Sequence, residues 1–315
     1  MVIQENQKIC PVCLEGKELG FIRDYKLKEG DFSLYQCKKC QAQFYDPFLK
    51  IKGKNYQEKN SYEINEAIKP KIFRKYHKKF LERNKSFKPG ANVLDLGCGT
   101  GEFLNELKKR GCNVFGADFD QNAVFYAKKY FNLKNVYAEP FEEFFNRKNL
   151  PKFDFIFMFE VLQYIDNPKD IAEKIKQAMG NKGKLVLSAP SRKRALANMD
   201  IFDYPSRCLT KWDKGSILNL FLKQGFKASY ITYVEQLKIL IGAINSKARF
   251  GLVSKVINMS KKNKSGNFLN IKLVYFLGRA KGFIIAFMPA VILWIFGKIT
   301  KRENGIIYVE FEKKI

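Results

Sequence analysis

Val93-Leu-Asp-Leu-Gly-Cys-Gly-Thr-Gly101 is an apolar run that opens directly into three alternate glycines. Asn92–Leu96 reads as a short strand, and Glu102–Arg110 as an amphipathic helix that stops at Gly111. Glycines allow a tight turn and a close backbone approach to a ligand. The free N–H groups at the start of the following helix suit an anion. Many cofactors use such turns, so two acids narrow the reading. Asp95, at the strand end, would repel a pyrophosphate but could accept from the ammonium of an amino-acid-bearing cofactor. Asp118 follows beyond the helix, at the end of the next apolar run, Val114-Phe-Gly-Ala-Asp118. A carboxylate there suits a bidentate grip on ribose hydroxyls. The plain alternative is a tight turn followed by a helix-capping Asp; two acids at the right spacing argue against it.

Outward from this motif the pattern alternates. Asn113–Ala117 reads as a strand, Gln121–Tyr130 as a helix and Asn135–Ala138 as a strand. Phe153–Phe159 is almost purely apolar, as expected of a strand covered on both faces. The helix Asp170–Met179 ends at Gly180, and Lys184–Ala189 is the next strand. Residues 192–213 have no clear period and read as a loop. Gly215–Lys223 is helical, Phe226–Val234 is strand-like and Ile306–Phe311 is a last strand. Such alternation predicts an α/β fold with a doubly wound sheet.

Val93–Gly101 followed by Asp118 resembles the class I S-adenosylmethionine (SAM)-dependent methyltransferases. Phe153-Asp-Phe-Ile-Phe-Met-Phe-Glu-Val-Leu-Gln-Tyr-Ile-Asp-Asn-Pro168 is similar to the fourth strand of that family and the helix after it. Gly180–Pro190 resembles its turn into the fifth strand, and Leu209–Trp212 with Lys223–Phe226 its next helix and sixth strand. The resemblance implies a Rossmann-like, seven-stranded methyltransferase sheet over residues 91–235, completed by a final strand at 305–315. It also implies that Asp95, Gly97, Gly99 and Gly101 contact the methionine part of SAM. Asp118 would hold the ribose, Phe119 would flank the adenine and Glu139 would lie near the adenine amine. Phe159 or Glu160 would line the methyl-transfer face.

The chain departs from the family in two places. Many relatives have His where Tyr164 stands, and some carry paired His where Arg207 and Cys208 stand. The usual His base is therefore absent, and the base candidates are Glu160, Tyr164, Asp203 and Tyr204. The single histidine, His77, is expected on the surface of an N-terminal helix, away from catalysis. Simple packing is the plain reading of Tyr164.

Towards the start of the chain stand Cys10-Pro-Val-Cys13 and Cys37-Lys-Lys-Cys40, separated by the polar, Gly-punctuated segment 14–36. Two matched pairs at this spacing read as a four-thiolate zinc site. Leu14 and Gln41 stand where such knuckles usually carry Gly. Residues 1–60 are thus expected to form a zinc ribbon and linker, with a core separate from the sheet, followed by a helical segment over 61–90. Phe73, Tyr76, Phe80 and Leu81 recur there at helical spacing. Cys98, Cys112 and Cys208 remain, and Cys98 reads as a small filler in the glycine loop. A zinc ribbon ahead of such a core resembles bacterial methyltransferases of polysaccharide and sugar pathways.

The chain has 315 residues, of which 46% are hydrophobic and 15% aromatic, which excludes a disordered chain. Its net charge is +26, and residues 191–315 alone hold 23 basic against 7 acidic side chains. An anionic partner would dock there, although plain solvation by surface Lys is an equal reading. The polar start, the odd number of Cys and the lack of about 18 consecutive apolar residues lead us to expect a cytoplasmic protein. Residues 236–304 read as a helical, basic and apolar insertion. Within it Phe283–Phe296 is uncharged and flanked by Arg279, Lys281, Lys298, Lys301 and Arg302. A helix of that length reaches only about 21 Å. It could be a core or dimer helix, or a lid that docks on the anionic inner face of the membrane. The leading expectation is a SAM-dependent methyltransferase acting on a small-molecule or glycan-type acceptor, anionic or lipid-linked. The alternatives are an RNA methyltransferase using the ribbon and basic third, and a catalytically silent SAM-binding scaffold.

Overall fold

The structure, a computed structural model, describes residues 9–27, 29–48, 74–194, 197, 203–205, 208–234, 287–292, 294–295 and 305–314. The linker after Phe48, the helical reading before Arg74 and most of the 236–304 insertion lie outside the described residues.

Three antiparallel strands follow the first cysteine pair: β1 (Leu19–Leu27), β2 (Gly30–Cys37) and β3 (Gln43–Asp46). Helix α1 (Lys75–Arg83) comes next and buries Tyr76 and Phe80, one helical turn apart, as the helical period requires. The alternating core then runs β4 (Asn92–Leu96), α2 (Glu102–Lys109), β5 (Asn113–Asp118), α3 (Gln121–Phe131), β6 (Val136–Ala138), α4 (Phe141–Phe145) and β7 (Phe153–Phe159). A 3-10 turn at Leu162–Tyr164 leads to α5 (Pro168–Ala178) and β8 (Met179–Pro190). The remaining elements are β9 (Thr210–Lys211), α6 (Lys214–Lys223), β10 (Phe226–Val234) and β11 (Ile306–Lys313).

The large sheet has seven strands in the order β10-β11-β8-β7-β4-β5-β6, as the α/β reading requires. Its central pairs, β4 with β5 and β7, β5 with β6, and β7 with β8, are parallel. Phe153, Ile156, Phe157 and Met158 of β7 are fully buried, which accounts for its unbroken apolar sequence. Strand β8 starts earlier than its apolar stretch. Phe153 pairs with Met179 and Phe155 with Lys184, so residues 180–183 bulge out of register.

Two elements escape a reading by period. Helix α4 has only five residues and β9 only two. Strand β9 nonetheless decides how the ribbon is built. It pairs antiparallel with β3, Gln43 opposite Lys211 and Phe44 opposite Thr210, and completes a second sheet in the order β1-β2-β3-β9. The expected separate ribbon core is therefore corrected: its fourth strand comes from the segment after β8, because β3 offers an edge that a partner strand must cover.

Helix α1 lies on an aromatic layer. The Phe80 ring meets Phe157 edge-on at 4.7 Å and Phe155 at 5.3 Å. The far end of α1 is held by Arg83, whose Nε donates to Glu310 on β11 at 2.7 Å. Glu310 is buried and also accepts from the Tyr308 hydroxyl at 2.8 Å. These partners offset the cost of burying its charge.

The chain divides into two compact units, residues 1–190, 205–232 and 307–315 in the first, and 191–204 with 233–306 in the second. In the second unit Arg194 donates to Asp203 at 2.8 Å, with both side chains buried. Its described helical residues, 287–292 and 294–295, expose Met288, Ile292 and Ile295 and bury Ala290. Among the described residues no helix is long and apolar enough to cross a membrane.

Candidate active site

The glycine motif turns between β4 and α2. Gly97 has φ +81°, and a side chain there would collide with Val161. Gly99 has φ +51° and opens into free space, with nothing within 4 Å of where a Cβ would stand. The loop is thus packed on one side and open on the other, a cradle into which a ligand can come close to the backbone. Gly101 is the N-cap of α2.

Asp95 and Asp118 stand behind this loop. Asp95 is buried within β4. Burial, and then the charge of Asp118, hold its carboxyl well above the usual carboxylate range. Asp118 closes β5, and its two oxygens accept from the backbone N–H of Gly99 at 2.8 Å and of Asp120 at 2.9 Å. Burial pushes its pKa up to about 6, against the opposing pull of those N–H groups. A fully buried acid with a raised pKa, as Asp95 is, favours a cationic ligand group, which would restore its charged form. An amino acid's ammonium is such a group, so these residues fit an amino-acid-bearing donor. Asp120 is the N-cap of α3 and accepts from Asn122 and Ala123. Phe119 lies half-buried between the two acids of this turn.

Glu139 follows β6, and its backbone N–H donates to the Asp118 carbonyl at 3.1 Å. Its carboxylate is held elsewhere: Arg147 grips it through two bonds of 2.6 and 2.7 Å while lying 3.6 Å from the centre of the Tyr137 ring.

The opposite wall is formed by the end of β7. Phe159 stacks on Tyr76 of α1 at 5.0 Å and meets Phe103 of α2 edge-on at 5.5 Å. Glu160 follows with φ +55°, a left-handed conformation that is rare for a residue with a side chain. Its N–H donates to the Ser188 carbonyl at 2.9 Å, and its carboxylate accepts from the Tyr76 hydroxyl at 3.2 Å. Such strain concentrates where a side chain must be aimed. Tyr164 is half-buried on the 3-10 turn. Asp203, another base candidate, is bound to Arg194.

His77 is corrected. It is half-buried rather than fully solvent-facing, because α1 lays this face on the aromatic layer. Its ring stacks on Phe103 at 4.4 Å and meets Phe159 edge-on at 5.0 Å. Burial, helped by the charge of Arg74, lowers its pKa to about 3, so the ring is neutral near pH 7. Tyr76 and His77 thus join Phe159 and Glu160, a meeting that their distant positions in the chain do not announce. Gln163 likewise carries no signal in the sequence. It is buried, its Nε2 donates to the Glu160 carbonyl at 2.8 Å, and its Oε1 has no hydrogen-bond partner among the described residues. A buried orphan acceptor costs about 1–3 kcal/mol.

The four ribbon cysteines converge. All four Sγ atoms lie within 4.8 Å of one another, with Cys10 to Cys40 at 3.7 Å and Cys13 to Cys37 at 3.9 Å. Tetrahedral zinc with Zn–S bonds of about 2.3 Å requires S···S separations of about 3.8 Å. The donor set and its spacing fit that ion. Leu14 and Gln41, which replace the usual Gly, take left-handed φ values of +56° and +65°. The knuckle backbone is therefore present without its customary residue. Cys98 is buried in the glycine loop, and burial raises its thiol pKa, as a filler role implies.

Comparison with known proteins points the same way. A family described as a methyltransferase domain matches residues 64–230. The mitochondrial ubiquinone biosynthesis O-methyltransferase of Schizosaccharomyces pombe is 32% identical over 117 residues, covering 36% of this chain and 42% of the relative. The ubiquinone biosynthesis O-methyltransferase of Glaesserella parasuis is 30% identical over 110 residues, covering 33% and 47%. The chain spans less than half the length of these curated relatives. A chain from the complex between the Haloferax volcanii Trm112 methyltransferase activator and a methyltransferase shares the fold, with a TM-score of 0.50 at 14% identity over 84% of this chain and 94% of that one.

Proposed function

The chain belongs to the methyltransferase-domain family that matches residues 64–230, and on that premise we propose that it transfers the methyl group of SAM to a hydroxyl of a small-molecule acceptor. One observation carries this reading. The loop is open at Gly99, Asp118 bridges it to β5, and the buried Asp95 lies behind. SAM supplies an electrophilic methyl group on a sulfonium centre. Asp95, Gly97, Gly99 and Gly101 hold its amino-acid end, Asp118 its ribose, and Phe119 its adenine. Glu139 lies at the adenine edge, with its carboxylate already gripped by Arg147. Phe159, Tyr76 and His77 exclude water from the transfer face. Glu160 takes the acceptor hydroxyl proton at its carboxylate, and Tyr164 on the same turn is the second candidate. Alignment of donor and acceptor supplies the remaining acceleration.

The names of the relatives support an oxygen acceptor on a small molecule. The charge of the C-terminal third favours an acceptor that is anionic or lipid-linked. One Zn²⁺ on Cys10, Cys13, Cys37 and Cys40 holds the ribbon together. The exposed apolar stripe Met288, Ile292 and Ile295 supports peripheral docking of a cytoplasmic protein on the anionic inner face of the membrane. Calorimetry with SAM and with NAD tests the core of this reading. SAM is expected to bind and NAD to be ignored; tight NAD binding without SAM binding overturns it.

A further inference from the structure

The cysteine ribbon and the acceptor-side wall are joined by hydrogen bonds linked through short stretches of chain. On the ribbon, Cys37 N–H donates to the Ala42 carbonyl at 3.0 Å, which closes the second knuckle directly before β3. From β3, Tyr45 N–H donates to the Leu209 carbonyl at 3.1 Å. Leu209 N–H donates to the Gln163 carbonyl at 2.9 Å. Gln163 Nε2 donates to the Glu160 carbonyl at 2.8 Å, and Glu160 N–H donates to Ser188 on β8. The metal-binding knuckle thus leads almost at once into a strand whose edge fixes the loop that aims Glu160. The join is dry: Tyr45, Leu209, Thr210 and Trp212 are all buried, and Trp212 Nε1 donates to Thr210 Oγ1 at 2.8 Å. A second contact runs beside it, with Asn219 Nδ2 of α6 donating to the Cys40 carbonyl at 3.4 Å.

We propose that the ribbon is a wall of the acceptor side rather than a detachable module, and that Gln163 is the positioning residue that transmits its placement to Glu160. The inference rests on the methyltransferase reading above for the role of Glu160. Gln163 carries the argument. An apolar side chain of the same size would fill its site without leaving a buried carbonyl oxygen unpaired. The amide uses only its donor end, so that donor is what the position supplies. Its bond falls on the carbonyl of a residue held in the left-handed region, where the backbone needs outside restraint to stay. Both halves of the contact depend on β9, whose two residues belong at once to the ribbon sheet and to the stretch bonded to Gln163. Coupling of this kind is reciprocal.

The test uses the full chain carrying Trp294→Phe, which leaves Trp212 as the single tryptophan. Zinc is stripped with a high-affinity chelator and followed by elemental analysis. Trp212 emission, amide hydrogen exchange and SAM affinity by calorimetry are then read. Stripping is expected to red-shift Trp212 and to speed exchange at the Leu209 and Glu160 amides at least tenfold. Exchange over residues 92–96 should speed up far less than at those two amides, with SAM affinity within threefold. In the Gln163→Leu variant the metal is retained, the Glu160 amide exchanges at least tenfold faster with zinc still bound, and stripping adds nothing further at Glu160. Loss of metal with Trp212 and both amides unchanged overturns the proposal. So does a Gln163→Leu variant whose Glu160 amide matches the parent. Loss of protection throughout the large sheet on stripping also overturns it, since that is global unfolding and not a local relay. A chain that binds no SAM while these exchange effects hold sinks the methyltransferase reading alone.

Discussion

The Asp118 carboxylate accepts from the backbone N–H of Gly99 at 2.8 Å and so ties the end of β5 to the glycine loop at the end of β4. The same side chain braces the loop and offers the oxygens a ribose would meet.

Asp118→Ala should therefore weaken SAM binding by about 1.5–3 kcal/mol, the range for hydrogen bonds to a charged group. With the folded pKa raised to about 6, the share of binding due to Asp118 should be flat above pH 7 and about tenfold weaker at pH 5, as the carboxylate takes up a proton. Apo stability runs the other way. A raised folded pKa means that the unfolded chain gives up this proton first, so the group costs stability as pH rises from about 4 to 6. Calorimetric titrations and urea melts across that window check both signs, and an affinity rising towards pH 5 would contradict the assignment.

Cys37→Ser should abolish zinc binding and lower the melting temperature of the whole chain in one transition. The reason is β9, which belongs to the ribbon sheet while bonded through Leu209 to Gln163. Differential scanning calorimetry reads this directly. Two transitions, with the upper one at its wild-type position, would mean that the sheets unfold independently.

His77→Phe should flatten the acid limb of the stability curve. The neutral ring packs between Phe103 and Phe159 with a folded pKa of about 3, so the unfolded chain binds a proton below about pH 6.5 that the folded chain refuses. Relative to the variant, the wild type should lose stability as pH falls from 6.5 to 4. Phe keeps the stacking on Phe103 and Phe159, so stability at pH 8 should change little. Parallel slopes for the two proteins would show that His77 titrates alike in the folded and the unfolded chain.

The exposed stripe should bind anionic vesicles. Full-length protein is expected to co-float with phosphatidylglycerol liposomes in 0.1 M salt and to release in 1 M salt, because each nearby Lys or Arg contributes about 1 kcal/mol. Replacing Met288, Ile292 and Ile295 together by Ser should reduce flotation severalfold while leaving SAM binding unchanged. Undiminished flotation of the triple variant would assign the contact to basic charge alone.

The SAM-type loop was legible because its chemistry is local. Gly97, Gly99 and Gly101 must turn where they stand, and Asp118 follows at the distance set by one strand and one helix. The four cysteines were legible for the same reason. The aromatic wall was not. Tyr76 and His77 reach Phe159 only because Phe80 and Arg83 seat α1 on the large sheet, at Phe157 and Glu310. His77 looked like a surface residue because a short helix does not declare which neighbour covers its second face.

By itself, the sequence determined the alternating α/β core, the bounds of β4 and β7, the glycine cradle with its two acids, and a four-thiol cluster. Each depends on side-chain period or on residue types within a short span, which a linear chain displays. Tertiary structure alone decided that the ribbon borrows β9, that Glu160 is held in a left-handed conformation, and that Gln163 joins the two. A strand as short as β9 has no period to detect. Its existence depends on an edge, β3, that lies far earlier in the chain and meets it only in the folded structure.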